Sequence, residues 1–222
     1  EINAWVWCAT LARKLGRPVT LASIPEAELD GLAAWGFDAV WLMGVWERSP
    51  AGRRVALEDR GLRDEYRRAL PDVTPEDVVG SPYAVRRYEV DPYLGGNHAL
   101  ASIREKLARR GLGLVLDFVP NHTATDHPWI QEAPGCFIQG DDGDLTAHPE
   151  AFFRAETAPA PVEREPAPAP APARAPALRP VVAHGRDPYF APWTDTAQVH
   201  AFSPELRARA TAALRDIASR CD

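Results

Sequence analysis

The sequence predicts an α/β fold in which parallel strands are covered by helices. Two observations carry this prediction. Apolar runs of strand length alternate with amphipathic helical segments, and the runs at 38–45 and 112–119 are apolar almost throughout. Such strands are typical of parallel sheets with both faces covered. The repeated strand-helix order favours one sheet with right-handed crossovers.

The first unit of this pattern spans residues 2–45. The opening run INAWVW at 2–7 is rich in β-branched and aromatic side chains, which predicts a buried strand. Leu29, Leu32 and Trp35 follow at helical spacing and predict a helix over 24–35 that ends at Gly36. The run DAVWLMGV then predicts the second strand, over 38–45.

The second unit leads to a third strand. Residues 53–70 are charged and loosely amphipathic, which predicts one surface helix or two short ones before Pro71. A clearer helix is predicted over 97–110, with Asn97 as its N-cap and Gly111 at its C-terminal cap. The third strand follows at 112–119, and we expect all three strands to lie side by side and parallel.

Periodicity is lost after His122, and the chain divides into three parts. Residues 1–122 carry the strand-helix units, residues 123–202 form a loop-rich inserted domain, and a helix over 204–219 resumes the pattern within 203–222. The Pro/Ala-rich run at 158–180 predicts an extended spacer that tolerates deletion. A role as a ligand for an adaptor domain stays open as the alternative.

Composition excludes several classes of function. The 31 acidic and 25 basic residues give a net charge of −6, so no nucleic-acid partner is expected. No apolar stretch is long enough for a membrane span, and no membrane partner is expected. Cys8, Cys136 and Cys221 have no metal-ligand spacing, and their odd number favours reduced thiols in the cytoplasm. The chain opens at Glu1 rather than at a methionine, so a preceding leader stays possible.

Candidate site residues follow the third strand. Asp117, Asn121 and His122 stand in the run LDFVPNH, at the C-terminal end of the strand where α/β folds bind ligands. A carboxylate, an amide and an imidazole can hydrogen-bond hydroxyl groups or bind oxygen-ligated cations. From the residues alone, a turn-forming aspartate and a structural histidine remain the alternative.

Four segments resemble the alpha-amylase family of glycoside hydrolases, in the order in which that family carries them. They are INAWVW with GFDAVWLMGVW at the start, SPYAVRRYEVDPYLGG at 81–96, LDFVPNH at 116–122, and DTAQVHAFSPELR at 195–207. The resemblance implies the N-terminal part of a (β/α)8 TIM barrel, about three strands of it, with an irregular inserted domain after the third strand.

The same resemblance implies roles for individual residues. His122 would contact a sugar hydroxyl in the cleavage subsite, Tyr83 would stack on the same ring, and Asp117 would orient an arginine on the next strand. For Tyr83, packing into the core stays open as the alternative. Asp91, followed by Pro92, is predicted to form a turn rather than to act as a catalytic acid.

Calcium is the one metal that the resemblance brings in. Asn121 matches a calcium ligand of many family members, but Gln198 and His200 stand where the inserted domain often supplies an aspartate and an asparagine. No organic cofactor is expected, and calcium stays an open alternative that Gln198 disfavours.

By resemblance, the reaction is retaining α-glycoside hydrolysis or glucosyl transfer on an α-glucan or a small α-glucoside. Its carboxylates lie on later strands of the family, and Cys221-Asp222 resembles only the start of the nucleophile motif D-G-x-R-x-D. We therefore assign no catalytic residue in this chain and expect it to be inactive alone. The alternative is a catalytically silent member of the fold that acts as a binding or partner protein.

Overall fold

The computed structural model describes residues 1–156 and 179–222. The predicted spacer at 158–180 lies outside the described residues, apart from its last two positions.

The first part of the chain builds a three-stranded parallel sheet with helices packed against it. Its elements in chain order are β1 (Ile2–Asn3), α1 (Ala4–Leu15), α2 (Glu26–Ala34), β2 (Ala39–Met43), β3 (Trp46–Arg48), α3 (Pro50–Glu58), α4 (Arg60–Ala69), β4 (Val85–Val90), α5 (Gly96–Ala108) and β5 (Gly113–Val115). The strand order is β1-β2-β5, with Ile2 opposite Leu42 and Val40 opposite Leu114, and both pairings are parallel. The predicted parallel arrangement is confirmed.

The prediction of a strand over 2–7 is wrong beyond Asn3. Residues from Ala4 onward form α1, because the Asn3 side chain accepts a hydrogen bond from the Val6 N–H at 3.2 Å and so caps a helix. Ala4, Cys8 and Leu11 recur at helical spacing and form the buried face of this helix. The β-branched and aromatic composition of the run was a weaker determinant than the cap and this spacing.

The later helices follow the predictions closely. The charged stretch forms two short helices, α3 and α4, which is one of the two forms predicted for it. The N-cap of α5 is Gly95 rather than Asn97, whose side-chain oxygen instead accepts the Val90 N–H at 3.1 Å. Gly111 has the left-handed φ of +74° expected of a residue that follows a helix.

The inserted segment is a small antiparallel sheet rather than the loop-like chain predicted for residues 123–202. Its elements are β6 (His122–Ala124), α6 (Trp129–Glu132), β7 (Gln139–Gly140), α7 (Asp142–Ala147), β8 (Phe152–Arg154), β9 (Val181–Gly185) and β10 (Trp193–Gln198). The strand order is β6-β10-β9-β7, and β8 also pairs with β9. These strands have two to six residues, too few for a clear alternating pattern in the sequence.

The last helix, α8 (Pro204–Arg220), joins two separate hydrophobic cores. Leu206 in its first turn packs in the core of the insert, and Ile217 near its other end packs in the core of the parallel sheet. Ser203 caps the helix by accepting the Leu206 N–H at 3.3 Å. One rigid element therefore holds the insert against the strand-helix part.

Two further sequence inferences can be checked against the described residues. All three cysteines are free thiols; Cys8 and Cys136 are buried, and burial raises the pKa of Cys8 to about 11. Among the helices of the described ranges, none is both long and apolar enough to cross a bilayer.

Candidate functional site

Asp117 lies just beyond β5, and the residue is buried, with 8% of its surface exposed. One carboxylate oxygen accepts the Trp41 indole N–H at 2.8 Å, and the other accepts the Gly44 backbone N–H at 2.6 Å. The Asp117 carbonyl accepts the indole N–H of Trp46 at 2.9 Å. Each carboxylate oxygen keeps one lone pair, so Asp117 can still accept two further N–H groups, such as those of one arginine.

Gly44 is required for this arrangement. Its φ is +74°, in the left-handed region that favours glycine. A Cβ at this position would lie 2.9 Å from the Arg48 guanidinium and 2.9 Å from the Pro82 side chain. The backbone can approach the Asp117 carboxylate only because residue 44 has no side chain.

The loop that follows Asp117 is held by Tyr88 on β4. The Tyr88 hydroxyl donates to the Val119 carbonyl at 3.2 Å and accepts the Val119 N–H at 3.1 Å. This hydroxyl is buried, which raises the pKa of Tyr88 to about 12. The backbone between Asp117 and His122 is therefore fixed at its midpoint.

His122 and Tyr83 meet beside this loop. His122 is half-buried beside the Tyr83 backbone, and the edge of its ring packs on Trp193 with ring centroids 5.2 Å apart. Burial lowers the pKa of His122, so the ring is neutral near pH 7. Tyr83 is 39% exposed, so the alternative that it packs into the core formed by the described residues is wrong. Partial burial raises the pKa of Tyr83, and the negative charge of Asp117 adds to the increase.

Asn121 is exposed, and its polar groups contact the insert. Its carbonyl oxygen and its side-chain oxygen accept from the Gln198 amide nitrogen at 2.9 and 3.1 Å. Its own amide nitrogen lies 3.2 Å from Nδ1 of His122. The sequence thus brings Asn121, His122 and Gln198 together at the junction of β6 and β10.

This donor set does not fit a calcium ion. The two Asn121 oxygens that would serve as ligands face an N–H donor, and neither Asn121 nor Gln198 carries a charge. Within residues 1–156 and 179–222, no three His, Cys, Asp or Glu side chains cluster in a way that could hold a metal.

Asp91 and Arg48 are two further buried charged groups near the site. Asp91 accepts the Arg48 N–H at 3.0 Å and the Tyr93 N–H at 2.9 Å, which confirms the predicted turn-forming role. The Arg48 guanidinium lies over the Trp5 ring at 5.4 Å and donates to the Gly80 carbonyl at 3.2 Å. Burial lowers the pKa of Arg48 to about 10. No sequence motif pointed to Arg48, because its partners are 32 and 43 residues away.

Asp222 lies away from these groups. Its N–H donates to the Leu114 carbonyl at 2.9 Å, and its carboxylate accepts the Leu114 N–H at 3.0 Å. Arg104 pairs with the same carboxylate at 2.7 Å. Leu114 is the middle residue of β5, whereas His122 lies beyond its C-terminal end, so Asp222 does not face the sugar-binding candidates.

A separate cavity of about 780 Å³ lies between α3, β4 and the insert. Several of its charged side chains are paired, with Arg54 on Glu156 at 3.1 Å and Arg86 on Glu47. Neither Tyr83 nor His122 lines this cavity, so the candidate site is distinct from it.

A profile of the family described as "Alpha amylase, catalytic domain" matches residues 21–152, which is more than half of the chain. The chain belongs to the alpha-amylase family.

Two curated relatives represent different kinds of protein. The alpha-1,4-glucan:maltose-1-phosphate maltosyltransferase of Pseudomonas aeruginosa is 30% identical over 122 residues, which cover 53% of this chain and 16% of the relative. The amino acid transporter heavy chain SLC3A1 of Mus musculus is 38% identical over 93 residues, which cover 41% of this chain and 12% of the relative. The chain thus spans less than a fifth of either relative.

Solved structures agree on the fold. An alpha-amylase from Lactobacillus plantarum matches 91% of this chain over 33% of its own length, with a TM-score of 0.55 and 18% identity. A trehalose-6-phosphate hydrolase from Bacillus licheniformis matches 90% over 30% of its length, with a TM-score of 0.56 and 15% identity. The described residues are the N-terminal part of a (β/α)8 barrel with an insert after the third parallel strand.

Proposed function

We propose that this chain supplies part of the sugar-binding site of a retaining α-glycoside hydrolase or glucosyltransferase that acts on an α-glucan or a small α-glucoside. The observation that carries the proposal is the convergence of Tyr83, His122 and Asp117 at the C-terminal ends of parallel strands. In barrel enzymes this end carries the active site. Family membership and the maltosyltransferase relative support the same substrate class.

His122 and Tyr83 would contact one sugar ring. A neutral imidazole N–H can donate to a sugar hydroxyl, and the half-exposed Tyr83 ring offers an apolar face beside it. A hydrogen bond that strengthens as the ring flattens toward an oxocarbenium ion favours the transition state over the bound substrate.

Asp117 would act as an anchor for an arginine rather than as a reacting group. Its two oxygens already accept from Trp41 and Gly44, which fixes the carboxylate plane. Retaining hydrolysis needs a nucleophile and a proton donor about 5 Å apart. We assign neither to Asp117, Asp91 or Asp222, because each carboxylate is already held by backbone or side-chain donors.

The binding step can be tested on this chain. Maltotetraose added to the ¹⁵N-labelled protein should shift the amide signals around Tyr83 and His122, and Tyr83→Ala and His122→Ala should abolish those shifts. Tyr189→Ala is the matched control, because Tyr189 is also an exposed tyrosine, at 88%, and lies on the connection between β9 and β10. No hydrolysis of the sugar is expected.

Two outcomes would contradict the proposal. Sugar binding that survives both Tyr83→Ala and His122→Ala would remove these residues from the site. Hydrolytic activity that co-purifies with the chain would show that a catalytic carboxylate lies within the chain.

A second candidate is a catalytically silent partner protein of the same fold. The observation that favours it is the match to a relative whose name is that of an amino acid transporter heavy chain. In a protein that carries this chain together with the later strands of the family, loss of the later carboxylates and absence of α-glucosidase activity would favour the silent protein. An intact D-G-x-R-x-D motif with turnover would favour the enzyme.

We further propose that the protein needs no calcium at Asn121 and works in the cytoplasm. The first rests on the Gln198 amide that occupies the Asn121 oxygens, and the second on three free thiols.

A further inference from the structure

The orientation of the Gln198 amide is set by two backbone groups, one that can only donate a hydrogen bond and one that can only accept one. The Arg186 N–H can only donate, and it lies 3.1 Å from the Gln198 side-chain oxygen. The Asn121 carbonyl can only accept, and it lies 2.9 Å from the Gln198 amide nitrogen. Oε1 must therefore face Arg186, and Nε2 must face Asn121.

The orientation of the Asn121 amide follows from that of Gln198. Gln198 Nε2 is a donor and lies 3.1 Å from one end of the Asn121 side chain, so that end must be the oxygen. The nitrogen Nδ2 then faces the His122 ring, 3.2 Å from Nδ1. An amide nitrogen donates and does not accept, so Nδ1 of His122 must be the unprotonated, accepting nitrogen.

We propose that Gln198 is a positioning residue that acts through Asn121 to hold His122 in the tautomer with its proton on Nε2. The relay runs from the Arg186 N–H through two amides to the imidazole, and every step is a donor facing an acceptor. The proposed benefit to sugar binding rests on the proposed function, because Nε2–H is then the group that donates to a sugar hydroxyl. The tautomer itself does not depend on sugar binding; besides Asn121, the Tyr83 backbone is a second polar neighbour of the His122 ring.

The relay also gives the insert a defined effect on the barrel. Gln198 is the last residue of β10, and His122 opens β6 next to the loop that carries Asp117. The two strands pair directly, with Gln198 opposite His122. A side chain of the insert thereby sets the hydrogen-bonding role of a histidine at the barrel end, where a free imidazole would populate both tautomers.

The test is the tautomer of His122 in the whole 222-residue chain, read from its imidazole ¹⁵N shifts at a pH where the ring is neutral. The wild type should show Nε2–H. In Asn121→Asp, a carboxylate oxygen replaces Nδ2 and can only accept, so Nδ1 must become the donor. In Gln198→Glu, the carboxylate repels both Asn121 oxygens, and the Asn121 amide is expected to turn its oxygen toward Nδ1. We expect the tautomer ratio to change by about tenfold or more in either variant, because an attractive hydrogen bond is replaced by an acceptor facing an acceptor.

Gln139→Glu is the matched control. Gln139 also lies in the insert and donates to a backbone carbonyl, that of Pro134 at 3.2 Å, but has no link to His122. The His122 tautomer should be unchanged in this variant. A folded Asn121→Asp that keeps Nε2–H, or a wild type with Nδ1–H, would overturn the relay. If Gln198→Glu does not fold, Asn121→Asp decides, because there Gln198 keeps its donor role.

The result is separable from the proposed function. If the tautomer responds as expected but the chain binds no maltotetraose, the relay is supported and the proposed sugar site is contradicted. Sugar binding at His122 with an unresponsive tautomer would do the reverse.

Discussion

The parallel sheet and the inserted sheet are stabilised differently. Leu42, Leu100, Leu107 and Leu114 are at most 1% exposed in the core of the parallel sheet, and the buried charged groups of this part, Arg48, Asp91 and Asp117, lie outside its three parallel strands. The insert has a smaller core, and its buried residues include His127, His184, Thr123 and Thr196. Burial of polar groups requires hydrogen bonds, so the insert depends on specific polar contacts where the parallel sheet depends on apolar area.

The difference matters because the candidate site lies where the two parts meet. Tyr83 and Asp117 belong to the barrel part, while His122 and Asn121 are held through Gln198 of the insert. A substitution in the parallel sheet should therefore disturb the site through Tyr83 and Asp117, and a substitution in the inserted sheet should disturb it through Gln198.

The largest effect is expected from removing one large side chain from each core. Phe137→Ala should destabilise the protein by about 3–5 kcal/mol and Leu114→Ala by about 2–5 kcal/mol, because both residues are at most 2% exposed and leave cavities. Amide hydrogen exchange should rise first in β9 and β10 for Phe137→Ala, and in β2 and β5 for Leu114→Ala. Equal loss of protection everywhere in both variants would show that α8 couples the two cores into a single cooperative unit.

Acid should weaken the insert before the parallel sheet. Burial lowers the pKa of His127 to about 3, and it also lowers the pKa of His184. A histidine with a depressed folded-state pKa contributes stability that is complete above its unfolded value, near 6.5, and is lost as the pH falls toward 3. Each such group changes the unfolding free energy by up to about 1.4 kcal/mol per pH unit in this window.

The measurement is the melting temperature between pH 7 and pH 4, with hydrogen exchange to locate the loss. His127→Asn should flatten the dependence, since its side-chain oxygen can take over from Nδ1 the hydrogen bond donated by the Trp129 N–H at 3.1 Å. Substitution of the exposed His148 by Gln serves as the control and should leave the slope unchanged. A wild-type melting temperature that is flat across this range would contradict the prediction.

An intermediate effect on stability is expected at the candidate site, where the parallel sheet and the insert meet. Asp117→Asn replaces one accepting oxygen by an NH₂ group, so either the Trp41 indole N–H or the Gly44 N–H loses its acceptor. We expect a loss of about 1–3 kcal/mol in the free energy of unfolding, measured by urea denaturation. Asp64→Asn on α4, where the carboxylate is exposed, should change stability by less than about 0.5 kcal/mol. Equal stability of the two variants would mean that the Asp117 contacts contribute little.

The smallest effect is expected from calcium. Neither millimolar calcium nor excess chelator should move the melting temperature, because Gln198 presents an N–H to the Asn121 oxygens. Gln198→Glu should gain a modest calcium-dependent stabilisation, since a carboxylate then faces the Asn121 backbone carbonyl oxygen. A wild-type protein that loses stability in chelator would show that a cation takes part in the native state.

The sequence by itself determined the elements whose pattern is local. The apolar runs around Val40 and Leu114 and the helical spacing of Leu100, Ile103 and Leu107 are sufficient to predict β2, β5 and α5, because burial of a continuous surface imposes a period on the chain. The motif LDFVPNH likewise placed Asp117, Asn121 and His122 at a strand end. The same reasoning failed at Ala4–Trp7, where a single capping side chain outweighed composition, and in the insert, whose strands are too short to show a period.

Tertiary structure alone decided what the site residues contact. Asp117 meets Gly44 and Trp41 across 73 and 76 residues, and Gln198 meets Asn121 across 77. These partners carry no local signature, since a lone tryptophan, glycine or glutamine is compatible with many positions. Their roles arise because a buried carboxylate or amide must find donors and acceptors of matching type, and only the folded chain brings those groups within 3 Å or so of each other.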